Sequence, residues 1–104
     1  MMWRSEGAVV QYMYHPDQAG TYGDDFYWNE GEQRYFDPGT WYTVETRIVM
    51  NTPTENDGIV QSWFDGVLAL DVHDVRYRDV GTFGIDTLYF STFFGGSGSD
   101  WARR

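Results

Sequence analysis

Alternating apolar and polar side chains dominate this chain, and the alternation predicts β-strands. Residues 41–50 give the clearest case, because every second side chain from Tyr42 to Met50 is apolar except Thr46. The intervening side chains are mostly polar, as at Glu45 and Arg47. A period of two is typical of a half-buried antiparallel strand with one apolar face and one wet face.

Other apolar runs, separated by turn residues, predict the remaining strands. Asp65 and Gly66 form a two-residue hairpin signal, so the runs on either side should pair as neighbours. The last run carries apolar groups on both faces, which predicts a strand inside a sheet and covered on both sides. The predicted strands besides 41–50 are residues 8–15, the short aromatic run 26–28, and residues 59–64, 67–72 and 85–94.

Five or six strands with short turns and almost no helical periodicity indicate an all-β fold. The expected architecture is an antiparallel β-sandwich or β-jelly roll. With 104 residues, the chain is expected to form one domain that spans residues 1–104.

The first predicted strand presents two phenols on one face. Side chains alternate along a strand, so Val10, Tyr12 and Tyr14 share one face, and Gln11 lies with its odd-numbered neighbours on the other. Aromatic side chains on strands usually pack against cross-strand partners, which is the structural alternative to a catalytic role.

Charge and composition exclude some functions. The net charge is -9 and the chain has no basic run, which argues against nucleic acid as a partner. No apolar run approaches the roughly 20 residues of a membrane span, so we expect no membrane partner. Cysteine is absent, so the chain offers no thiolate metal site, and the spacing of its acids does not match a calcium loop. We therefore expect no metal and no cofactor. Localisation stays open.

Several segments together resemble polysaccharide lyase family 14. They are Trp-Tyr-Thr-Val-Glu at 41–45, Asn-Thr-Pro at 51–53, Asn-Asp-Gly at 56–58, Trp-Phe-Asp-Gly at 63–66 and Phe-Ser-Thr-Phe-Phe-Gly-Gly at 90–96. The last of these, with Met-Trp-Arg at 2–4 and Tyr12-x-Tyr14, separates the resemblance from the wider group of concanavalin-like lectins and glucanases.

The resemblance implies a jelly-roll enzyme that cleaves alginate or a related polyuronate by β-elimination. Tyr12 and Tyr14 match the family's Tyr-x-Tyr pair and are the expected catalytic residues. Arg4 is the expected ligand of the sugar carboxylate, and Gln11 is a further candidate for substrate binding. The implied partner is an anionic polysaccharide.

The sequence also departs from the family pattern. The family's catalytic lysine, and a serine–arginine pair just upstream of Met-Trp-Arg, have no counterpart, because the chain has no lysine and begins at that segment. The resemblance therefore implies an incomplete jelly roll with reduced or lost activity. Missing strands would leave sheet edges exposed, and we expect those edges to permit self-association.

Two other functions stay open. In a non-catalytic concanavalin-like carbohydrate-binding module, tryptophan and tyrosine stack on sugar faces without chemistry. A jelly-roll glycoside hydrolase would need two carboxylates about 5–9 Å apart on one face. The predicted strands carry only isolated acids, such as Glu45 and Asp86, so the hydrolase is the least favoured of the three.

Overall fold

Two antiparallel three-stranded sheets make up the fold. The computed structural model describes residues 1–90. The first sheet has the order β1-β2-β3, and the second has the order β4-β5-β6. The strands are β1 (Met2–Trp3), β2 (Val9–Met13), β3 (Asp24–Tyr27), β4 (Val44–Val49), β5 (Gly58–Phe64) and β6 (Val67–Val75), with a single 3-10 turn at Ser5–Gly7.

The turn between β5 and β6 confirms the predicted hairpin. Asp65 and Gly66 both have positive φ angles, 50° and 81°. Positive φ at both central residues matches the right-handed twist of the two flanking strands, and Asp-Gly is a favoured pair for it. Phe64 and Val67 accordingly lie opposite each other at the start of the β5–β6 ladder.

The hydrophobic core lies between the two sheets. Trp28, which directly follows β3, is fully buried, and it joins Val9 and Met13 of β2 to Val60 of β5. A backbone bond also links the sheets, since Glu30 donates to the carbonyl of Ala69 at 2.9 Å. The buried members of this core are Val9, Met13, Trp28, Val60, Ala69, Leu70 and Val75.

Asn51 organises the turn that follows β4. Its side chain is fully buried, and its amide donates to the carbonyls of Thr52, Glu55 and Arg78. Its oxygen accepts the backbone N–H groups of Tyr77 and Arg78 at 2.8 and 3.1 Å. One side chain therefore fixes both the turn and the chain segment that leaves β6.

The edge position of β4 corrects the prediction for residues 41–50. The strand covers only Val44–Val49, and Trp41 outside it is 98% exposed. Five of its six residues are exposed, so it is not the half-buried strand that was expected. Alternation alone does not say whether the other sheet extends far enough to cover a strand, and here it does not.

The last predicted strand is wrong for the part that the structure describes. Residues 85–90 form no strand, and Leu88 and Phe90 are 97% and 89% exposed instead of covered on both sides. Apolar groups stabilise a strand only where a neighbour pairs with its backbone, and these residues have no such neighbour within 1–90. Residues 91–94 of that prediction lie outside the described residues. β6 extends three residues beyond the predicted end at residue 72, so His73 lies within the strand.

The all-β prediction is confirmed. Within residues 1–90 every regular element except the 3-10 turn is a strand, and every strand pairing is antiparallel. This arrangement is consistent with part of a β-sandwich or jelly roll. In the described part of the chain, no helix is long and apolar enough to cross a membrane.

Removing the Asn51 side chain should destabilise the protein. Asn51→Ala would leave the backbone N–H groups of Tyr77 and Arg78 without their acceptor, at a cost of about 1–3 kcal/mol for each buried group left unpaired. Urea unfolding followed by circular dichroism measures this loss. Asn29→Ala is the matched control, because Asn29 is exposed and its variant should stay within about 0.5 kcal/mol of the wild type. Equal midpoints for the two variants would contradict the role of Asn51.

Candidate active site

The candidate site lies on the outer face of the first sheet. β2 pairs with β3 in the register that sets Tyr12 opposite Asp25 and Val10 opposite Tyr27. The alternate residues Val9 and Met13 belong to the core, so the Tyr12 face points away from the second sheet. Polar and aromatic side chains of β2 and β3 therefore meet on this face, where Val10 is fully buried and Tyr12 is partly exposed.

Arg4 lies against this face, held by an ion pair. Its Nε donates to one oxygen of Asp25 at 2.9 Å and its Nη2 donates to the other at 2.6 Å. The guanidinium carbon is 5.3 Å from the centre of the Tyr12 ring, which is cation–π distance. The pairing with Asp25 raises the pKa of Arg4, so the cation is permanent.

The Tyr12 hydroxyl lies between a backbone donor and the second phenol. Its oxygen accepts the N–H of Gly23 at 2.9 Å, and it lies 3.4 Å from the Tyr14 hydroxyl. A Cβ at position 23 would lie 2.4 Å from the carbonyl oxygen of Met13, so only glycine allows this close approach. The backbone donor on Tyr12 thus depends on a glycine in the loop before β3.

Tyr14, one residue beyond β2, is the more exposed partner. Its ring stands nearly perpendicular to that of Tyr12, with the centres 5.3 Å apart, and 64% of the residue is exposed. The hydrogen bond with the Tyr12 side chain, with a smaller contribution from desolvation, raises the pKa of Tyr14 above its ordinary value. Tyr14 is therefore a protonated hydroxyl at neutral pH.

Arg4, Tyr12 and Tyr14 are brought together, but Gln11 is not. Gln11 lies opposite Phe26 on the core-facing side of β2, so it lies on the other face of the sheet from Tyr12. Its role in substrate binding stays a prediction. His15 also lies away from the tyrosine pair, because its ring contacts Asp24 at 2.8 Å and packs beside Phe26.

Sequence reasoning missed Asp25, Gly23 and Tyr27. Asp25 and Tyr27 belong to β3, which begins two residues before the predicted start at Phe26. The alternation of Asp25, Phe26 and Tyr27 was a usable signal, because it places the acid and the phenol on one face. Nothing in the sequence indicated the contact that requires Gly23.

The comparison with protein families agrees with this geometry. The family model described as Polysaccharide lyase 14 matches residues 1–104, the whole chain. This chain belongs to polysaccharide lyase family 14. No curated protein and no solved structure matches it.

The arginines of this family 14 member are engaged at separate places. Arg76 pairs with Asp17 and Asp79, and Arg47 donates to Gln61. Of Arg4, Arg47 and Arg76, Arg4 is the one that contacts the Tyr12 ring.

Membership of the family supports a lyase-like function on a polysaccharide.

The raised pKa of Tyr14 gives a direct titration test. In a chain carrying ¹³Cζ-tyrosine, the Tyr14 signal should titrate above the ordinary midpoint of about 10, and Tyr12→Phe should lower that midpoint towards 10 because it removes the hydrogen-bond partner. The signal is followed by NMR over the pH range in which circular dichroism shows the fold intact. Tyr35→Phe is the control and should leave Tyr14 unchanged. A Tyr14 midpoint that does not respond to Tyr12→Phe would contradict the coupling.

Proposed function

We propose that this chain acts on a uronate-containing polysaccharide, such as alginate or glucuronan, by β-elimination. The observation that carries the proposal is the assembly of Arg4, Tyr12 and Tyr14 on one sheet face of a family 14 member. Tyr12 is the proposed base and Tyr14 the proposed acid.

The reaction needs a base and an acid, and both lie on one side of the sugar when the proton and the leaving oxygen share one face of the ring. The base removes the proton from the carbon that bears the carboxylate. The electron pair left behind forms a double bond to the next carbon, whose bond to the glycosidic oxygen breaks. That oxygen takes a proton from the acid and leaves as a hydroxyl. The two hydroxyls, 3.4 Å apart, are close enough to serve neighbouring atoms of one sugar unit.

Tyr12 is the proposed base because of its contacts. Its phenol oxygen accepts the N–H of Gly23 at 2.9 Å, and the Arg4 cation lies beside its ring. No other hydroxyl of the cluster has both partners within residues 1–90.

Tyr14 is the proposed acid because of its position. It keeps its proton at neutral pH, since its pKa is raised above the ordinary value. It is also more exposed than Tyr12 and can therefore reach the leaving oxygen of a bound sugar chain.

Arg4 has a limited capacity to bind the sugar carboxylate. Asp25 already takes its Nε and Nη2 groups, while Nη1 makes no hydrogen bond among residues 1–90. The pair is neutral overall, and the chain carries a net charge of -9. Screening confines the repulsion of a polyanion to about 8 Å at physiological salt. We therefore expect weak substrate binding and a slow reaction.

A carbohydrate-binding module is the second candidate, and a separate groove favours it. The groove is open, has a volume of about 840 Å³, and contains the 98% exposed indole of Trp41 together with Trp3, which is 60% exposed. Exposed aromatic rings of this kind can stack on sugar faces. Its lining consists of Met1, Trp3, Glu6, Gly7, Phe36, Asp37, Pro38, Thr40, Trp41 and Tyr42.

Incubation with alginate and with glucuronan separates the two candidates. We expect a slow rise in absorbance from unsaturated uronate ends, and we expect Tyr12→Phe and Tyr14→Phe each to lower the rate by about 100-fold or more, because each removes a proton-transfer group. Tyr35→Phe, which changes an exposed phenol outside the cluster, should keep the wild-type rate.

Binding is measured in parallel by calorimetry with the same polysaccharides. Binding without any unsaturated product would contradict the lyase and support the module, in which case Trp41→Ala should weaken binding. Product formation that survives both phenylalanine variants would contradict the assignment of Tyr12 and Tyr14.

A further inference from the structure

The outer edge of β4 is unpaired in the part of the chain that the structure describes. β4 is the first strand of its sheet and pairs only with β5. Val44 and Ile48, whose side chains lie on the core-facing side of the sheet, remain 38% and 41% exposed. An open edge with exposed apolar residues is a template for pairing with another strand.

The backbone groups on that edge can be assigned from the turn. Asp65 donates its N–H to the carbonyl of Thr43 at 2.8 Å, which makes Thr43 and Asp65 a hydrogen-bonded pair. In an antiparallel ladder such pairs alternate, so Glu45 and Arg47 also direct their backbone groups towards β5. Val44, Thr46 and Ile48 therefore direct their N–H and carbonyl groups outwards.

The sequence of β4 is complementary to itself when two copies run antiparallel about Thr46. In that register Val44 lies opposite Ile48 of the other copy, and Glu45 lies opposite Arg47. Both kinds of pair are favourable across strands. The residues with outward backbone groups also lie opposite each other, so each of these pairs can exchange two hydrogen bonds.

The neighbouring registers are unfavourable. A pairing centred on Glu45 sets two glutamates opposite each other, and one centred on Arg47 sets two arginines opposite each other. Like charges directly opposite destabilise a strand pair. A register shifted by a single residue would set residues whose backbone groups point outwards opposite residues whose backbone groups point towards β5. The hydrogen bonds between the two copies could then not form. Charge therefore selects the register centred on Thr46.

The other sheet edges are less suited to pairing. β1 has two residues, and β3 carries Asp24 and Asp25. β6 carries Asp71 and Asp74, and its ladder with β5 is interrupted by two irregularities. The β4–β5 ladder runs from Val44 to Val49 without interruption, and β4 contains no proline. β4 thus combines an uninterrupted ladder with balanced charges.

We propose that β4 pairs with β4 of a second copy of this chain, centred on Thr46, to form a two-fold symmetric dimer with a continuous six-stranded sheet. A contact of six residues per copy is small, so the dimer should dissociate on dilution. The proposal is independent of the lyase activity, because the tyrosine pair lies on the other sheet.

Analytical ultracentrifugation of the full chain over a range of concentrations tests the dimer. The wild type should show a monomer–dimer equilibrium. Glu45→Arg and Arg47→Glu should each raise the dissociation constant on the order of tenfold or more, because each sets like charges opposite each other twice per dimer. Glu55→Arg, which makes the same charge change at an exposed turn residue, should dimerise like the wild type.

Mixing the two single variants gives the sharpest result. An equimolar mixture of E45R and R47E chains should dimerise again, because each then meets opposite charges, and the double variant E45R/R47E should dimerise alone. Circular dichroism confirms that each variant is folded. A monomeric wild type, dimerisation of either single variant at wild-type strength, or a mixture that stays monomeric would overturn the proposal.

Discussion

The antiparallel register between β2 and β3 is the constraint on which the candidate site depends. It sets Asp25 opposite Tyr12, and Asp25 in turn holds Arg4 through two hydrogen bonds at 2.9 and 2.6 Å. A slip of β3 by one residue would move Asp25 to the core-facing side of the sheet, away from Arg4 and Tyr12, since side chains alternate along a strand. β2 also buries Val9 on its other face. Burial of the core and assembly of the site therefore require the same register between β2 and β3.

The site and the hydrophobic core are therefore two faces of one sheet. Met13 faces the core while its carbonyl lies so close to Gly23 that no Cβ fits between them, and Gly23 supplies the N–H bond to Tyr12. A change in the packing of Met13 would reach the phenol oxygen through this contact. The second sheet supports the first through Trp28, and its edge at β4 has no partner strand among residues 1–90.

The sequence predicted the parts of the structure that depend on local pattern. The Asp65-Gly66 turn follows from its preference for positive φ, and the shared face of Tyr12 and Tyr14 follows from alternation. It did not predict what depends on distant neighbours. The exposure of β4 depends on how far the other sheet extends, and the partner of Arg4 depends on a cross-strand register. Residues 85–90 have an apolar pattern but no partner strand among the described residues, which is why that prediction failed.

We propose that the Arg4–Tyr12–Tyr14 cluster cleaves a polyuronate by elimination. Elimination takes no oxygen from water whereas hydrolysis does, so mass spectrometry of products formed in ¹⁸O-labelled water distinguishes the two reactions. The wild type should form fragments with an unsaturated sugar at one end and no ¹⁸O, and Tyr12→Phe should not form them. Saturated fragments that carry ¹⁸O, or unsaturated fragments formed equally well by Tyr12→Phe, would contradict it.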